Sequence, residues 1–178
     1  MEVQIRLATL ADIPPLERLI RESVSGLSVS HYTSAQIESA LSHVFGVDTQ
    51  LILDETYYVA EFEEELLGSG GWSKRKTLFG GDQAKADRVD ELLDPNTEAA
   101  RIRAFYVHPR WSRKGIGSRI LTACELSARL AGFSRIELVA TLPGEPLYTA
   151  RGYEKAEAMQ LDTPDGESLP AFRMTKSL

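Results

Sequence analysis

Residues 108–121, HPRWSRKGIGSRIL, set two glycines behind a run of basic residues and lead straight into an apolar helical pattern. A glycine-containing turn entering a helix gathers backbone N–H groups at the positive end of the helix dipole, which makes an anion site. Gly115 and Gly117 let a phosphate approach with no Cβ in the way, and Arg113, Lys114 and Arg119 add positive charge. The chemistry this suits is binding of a phosphate or pyrophosphate, although the same glycines would serve close helix–strand packing. No G-x-x-x-x-G-K-[ST] is present, and GIGSRI supplies only the first two glycines of G-x-G-x-x-G, so neither a P-loop nor a complete dinucleotide fingerprint is formed. His31, His43 and His108 lie far apart, and the single Cys124 falls within a helical pattern, so metal-ligand spacing and a cysteine nucleophile are both without support.

The elements around these groups follow from periodicity and turn signals. VQIRLA alternates as a strand, and Thr9 or Asp12, followed by Pro14 and Pro15, opens a helix that Gly26 can close. Thr33, three residues before Gln36, has capping-box spacing for a second helix. TYYVAEF and LLGSGGWS form a hairpin across Glu63–Glu65, and residues 74–98 make a long excursion between the third and fourth strands. ARIRAFYV is a strand ended by Pro109; the helix from Gly115 runs to Gly132; RIELVAT is the next strand. A short helical segment with Tyr148 and a hairpin turning at Thr163–Gly166 complete the order β-α-α-β-β-β-α-β-α-β-β. The expected class is α/β: a mixed, centrally splayed sheet of about seven strands flanked by about four helices, in one domain over residues 1–178.

A formal charge of −6 excludes a general nucleic-acid binder, which would carry a basic stripe. The N-terminal residues contain no basic segment followed by a long apolar run, and eighteen apolar residues never follow one another, so no membrane partner and a cytoplasmic location are expected.

With the loop set among these elements, FYVHPRWSRKGIGSRIL resembles the acetyl-CoA-binding segment of the GCN5-related N-acetyltransferase (GNAT) superfamily. The likeness extends from IRLATLADIPPL through YYVAEFEEELLGSGGWS to LYTARGYEK. It implies acetyl-CoA as acyl donor, with the backbone of Phe105, Tyr106 and Val107 along the pantetheine arm. The N–H groups of Arg113, Lys114, Gly115, Ile116, Gly117 and Ser118 would lie on the pyrophosphate. Val107 N–H would polarise the thioester carbonyl, and Tyr148 would act as general acid to the departing thiolate. Two departures stand out: Ser112 occupies the first loop position, usually Arg or Gln, and Leu142 the usual Asn of Asn-x-x-Ala.

The resemblance also implies a small-molecule or peptide amine as partner, attacked directly, with a homodimer left open. In the histone-acetylating branch the general base is a fourth-strand glutamate; the matching position here is close to Arg101. Base candidates are a backbone-held water, His31, Tyr32, Glu61 or Asp82, and the substrate-side candidates are His31, Tyr32 and Trp72. A coenzyme-binding regulatory module without turnover is the alternative, and a Rossmann-type nucleotide-binding protein is disfavoured because its repeating βα units are absent.

Overall fold

Alternating strands and tight hairpins build a seven-stranded sheet in the computed structural model, which describes residues 2–84 and 90–178. The strands are β1 (Gln4–Leu7), β2 (Tyr57–Phe62), β3 (Glu65–Ser73), β4 (Ala100–Val107), β5 (Arg135–Thr141), β6 (Glu154–Asp162) and β7 (Ser168–Ser177), in the spatial order β1-β2-β3-β4-β5-β7-β6. Helices α1 (Ile13–Leu27), α2 (Ser34–His43), α3 (Thr49–Leu53), α4 (Ile116–Leu130) and α5 (Glu145–Ala150) flank it. The expected order is found, with α3 added. Its five residues, TQLIL, are too few to show a helical period.

Local chemistry explains the ends of these elements. Thr33 Oγ1 accepts from Gln36 N and Gln36 Oε1 accepts from Thr33 N, the reciprocal capping box that starts α2. Glu63 and Glu64, at φ 49° and 64°, make the two-residue β2–β3 turn; both central residues are left-handed, matching the twist of paired strands. Gly26 does not end α1, which runs one residue further. A Cβ at Gly26 would stand 2.4 Å from Pro109 Cγ, so the glycine is a point of close approach between α1 and the loop after β4.

Every neighbouring strand pair is antiparallel except β4 and β5. These two run parallel and stay in register only at Ala100–Ile136 and Arg101–Glu137, after which they diverge. On the β3 side, β4 carries a bulge: Ser69 pairs with Tyr106 and Gly71 with Arg103, so Ala104 and Phe105 together oppose Gly70. Ala104 takes φ +52° to do this. The extra residue shifts the alternation, so Phe105 and Val107 join Ile102 on the α4 face while Arg103 and Tyr106 point to the α1 face. Gly70 makes room for the bulge, since a Cβ there would lie 2.3 Å from the Phe105 ring.

The 74–98 excursion is tied down along its described length, residues 85–89 lying outside the described residues. Arg75 makes a two-pronged pair with Asp54, at 2.7 and 2.9 Å. Thr77 N donates to Asp90 Oδ1, and Gly81 N and Asp82 N donate to the carbonyls of Val44 and Val47.

At the other edge, Arg6 of β1 pairs with Asp12 ahead of α1 and with Glu61 of β2. The Arg6 hydrogen bond holds the Asp12 carboxyl at about 2, against 3.8 ordinarily. A carboxyl depressed on folding contributes stability above its unfolded value and loses it as pH falls toward the folded one. Wild-type protein is therefore expected to be more thermostable than Asp12→Asn at pH 6, and the difference in Tm should shrink between pH 4 and pH 2; calorimetric melts across that range check it.

Candidate active site

The divergence of β4 and β5 opens a cleft of about 490 Å³. Its walls come from α1, β4, β5, the loop ahead of α4, residues 143–150 and the tip of the excursion. Such a volume is within the usual range for small-ligand sites.

At one end lies the glycine loop. Arg113 and Gly115 are both left-handed, at φ 62° and 83°, a conformation that makes a concave run of backbone N–H groups. α4 starts at Ile116, and Arg119 N is the donor that bonds back to Gly115 O at 3.1 Å. The first-turn N–H groups of Ile116, Gly117 and Ser118 have no acceptor within the helix. Gly117 faces the cleft, where a Cβ would come within 2.9 Å of Leu147 Cδ2. The side chain of Ile116 is core, so only its backbone can serve a ligand. Lys114 Nζ lies 4.6 Å from the Trp111 ring centroid, and Ser112 Oγ is taken up by Pro109 O at 2.9 Å.

Further in, Phe105, Tyr106 and Val107 line the cleft opposite Val139 and Thr141. Val107 N donates to Ser23 Oγ at 3.2 Å, so an α1 hydroxyl holds the donor that sequence reasoning reserved for a carbonyl. Nothing in the sequence signals this contact; Ser23 is a lone polar residue on the buried stripe of α1. Tyr148 also reaches the cleft, its ring set edge-on between Phe105 and Tyr153 at centroid distances of 5.9 and 5.7 Å. Its hydroxyl makes no hydrogen bond with the described residues, and burial raises the phenol above its ordinary value. Cys124 is fully buried in the α4 core, with its thiol likewise pushed up by burial, which suits packing rather than nucleophilic attack.

The substrate-side candidates fall elsewhere. Tyr32 is buried, donating to Pro170 O at 2.6 Å and accepting from Leu142 N at 2.9 Å, so its polar end joins β7 to the end of β5. Trp72 is buried edge-on against Phe133. His31 is exposed beside α2. Glu61 is paired with Arg6, and Asp82 Oδ1 accepts from Thr49 N at the start of α3. None of the five lines the cleft, and none of its described lining residues is a carboxylate or a histidine. In their place the excursion brings Leu78, Phe79 and Gly80. The available signal was two large apolar residues ahead of a Gly-Gly pair in an otherwise polar stretch.

A profile described as Acetyltransferase (GNAT) domain matches residues 53–155. No curated protein matches the chain significantly. Among solved structures, a GCN5-related N-acetyltransferase from Rhodopseudomonas palustris superposes with a TM-score of 0.74 at 18% identity, covering 100% of this chain and 97% of that one. The PaiA N-acetyltransferase from Thermoplasma acidophilum, in complex with coenzyme A, gives 0.68 at 17% identity with both chains fully covered. A ribosomal-protein-alanine N-acetyltransferase from Brucella melitensis gives 0.64 at 20%, covering 98% and 99%. At these identities the likeness is one of fold.

Proposed function

The chain belongs to the acetyltransferase (GNAT) domain family, and from that premise we propose that it transfers the acetyl group of acetyl-CoA to a primary amine by direct attack. One observation carries the reading: the left-handed glycine loop, Val107 and Tyr148 all line a single cleft between splayed strands. The coenzyme supplies the activated thioester. The N–H groups of residues 113–118 hold its pyrophosphate, and the edges of β4 and β5 receive its arm where they no longer pair with each other. Val107 N–H polarises the carbonyl, and Tyr148 Oη donates a hydrogen bond to the sulfur as charge develops there.

Ser23 then competes with the thioester for Val107 N–H. Removing that competitor leaves the donor unpaired in the free protein, so Ser23→Ala is expected to tighten acetyl-CoA binding by about 2- to 10-fold, the worth of one net hydrogen bond. Titration calorimetry reads this directly.

With neither a carboxylate nor an imidazole among the described lining residues, the attacking amine loses its proton to water or arrives neutral. kcat/KM should then rise tenfold per pH unit and level off at the amine's own pKa, moving with that pKa across a series of amines. A fixed inflection near the ordinary carboxylate or imidazole value would point to a protein base.

The same lining favours a second reading, a coenzyme-binding module without turnover. Thiol release from acetyl-CoA over a panel of amines separates the two. Release with at least one amine supports transfer; tight coenzyme binding with no release from any amine supports the module.

A further inference from the structure

We infer that the acceptor end of the cleft selects an apolar primary monoamine and rejects amines that carry a second cation. This rests on the acetyl-transfer reading for its chemistry, but its binding test does not need turnover. Away from the glycine loop the lining includes Val24 and Leu27 of α1, Phe45, Leu78, Phe79 and Val139. Among the described lining residues there, Arg103 is the charged one, and its side chain is fully buried. Its guanidinium is occupied: Nε and Nη2 lie 2.9 and 2.5 Å from Asp48 Oδ2, and Nη1 lies 3.1 Å from Asp90 Oδ2, with Ser73 Oγ and Thr77 O also in reach.

A substrate carboxylate thus finds no free cation among the described lining residues at this end, because Arg113 belongs to the glycine loop. A second ammonium finds no carboxylate among the described lining residues to offset its desolvation. An apolar group loses nothing by entering.

Phe79 gives this surface its specificity. It is 38% exposed and has no ring partner among the described residues. The backbone on both sides of it is fixed, by Thr77 to Asp90 and by Gly81 and Asp82 to Val44 and Val47. An aromatic ring held at the cleft by pinned backbone offers contact area with little ordering cost to a bound apolar group.

The test is calorimetric titration of the coenzyme A-loaded protein with 2-phenylethylamine and with 1,4-diaminobutane. The monoamine is expected to bind at least about tenfold more tightly, in line with the cost of burying an uncompensated charge. A smaller ratio, or preference for the diamine, overturns the inference. Phe79→Asp, on an exposed loop position, is expected to move the ratio at least about tenfold toward the diamine by supplying a counter-charge; an unmoved ratio also overturns it. Thiol release measured in parallel keeps the two readings apart. Absence of release with either amine counts against transfer, while the binding ratio still decides the acceptor class.

Discussion

Tyr148→Phe is expected to lose about 10²- to 10³-fold in kcat on an amine that the wild-type protein acetylates, the usual effect of deleting one donor aimed at developing negative charge. Coenzyme affinity should hardly change. The ring is fixed by its edge contacts with Phe105 and Tyr153, which phenylalanine keeps. The hydroxyl has no partner among the described residues, so its removal orphans nothing. Burial raises the phenol above 10, so it stays protonated across the working range. Transferring that proton fully to a thiolate with an ordinary pKa of about 8.5 would be uphill. In the proposed reaction the phenol would therefore act by holding a hydrogen bond on the sulfur in the transition state. Steady-state thiol release, with Tm as the control for folding, tests the role; an unchanged kcat would remove Tyr148 from it.

The second large effect concerns stability. Asp48→Ala is expected to destabilise the fold by about 3–5 kcal/mol, because it leaves the Arg103 charge buried without its closest partner. Both side chains of this pair are fully buried. For a chain of this length that corresponds to a fall in Tm of roughly 6–20 °C. The Asp48→Leu, Arg103→Met double variant should recover only part of the loss, since it removes the unpaired buried charge but takes the guanidinium away from Asp90 and Thr77 O. Arg103 also holds Thr77 O and Asp90, so the single variant should loosen the excursion that carries Phe79 and weaken 2-phenylethylamine binding in parallel. Differential scanning calorimetry of the three proteins measures the first effect, and titration the second.

What the sequence disclosed, and what it concealed, both trace to local signals. The glycine loop that starts α4 was legible because glycine at 115 and 117 and the apolar stripe from Ile116 act over a few residues, and the structure keeps them together. Arg113 in a left-handed conformation was not, since arginine carries no preference for it. The bulge at Ala104 left even less trace. ARIRAFYV reads as a regular strand, and alternation continued from Ile102 would have sent Phe105 and Val107 to the wrong face. Tyr32 and Trp72 drew attention as aromatics in regions expected to border the acceptor, yet each is spent on the core, one through two hydrogen bonds and the other through a ring contact. The Leu78–Gly80 part of the cleft lining came instead from a stretch with no periodicity, tied down by ion pairs between separate elements, Arg75 with Asp54 and Arg103 with Asp90. Long-range pairing of that kind leaves no local pattern to read.

The two rungs that join β4 to β5 give the sheet the form of an arch with an open crown. β1 to β4 make one limb and β5, β7 and β6 the other. Core packing beneath α4 joins the limbs on one face, but across the crown the two strand edges no longer pair with each other. In the proposed binding mode the coenzyme would be a keystone as well as a reagent: it would span the crown, and the Val107 amide should exchange with solvent more slowly in its presence. Each catalytic cycle would end with the departure of a structural member, leaving the two limbs at their loosest when product is released and fresh donor is drawn in.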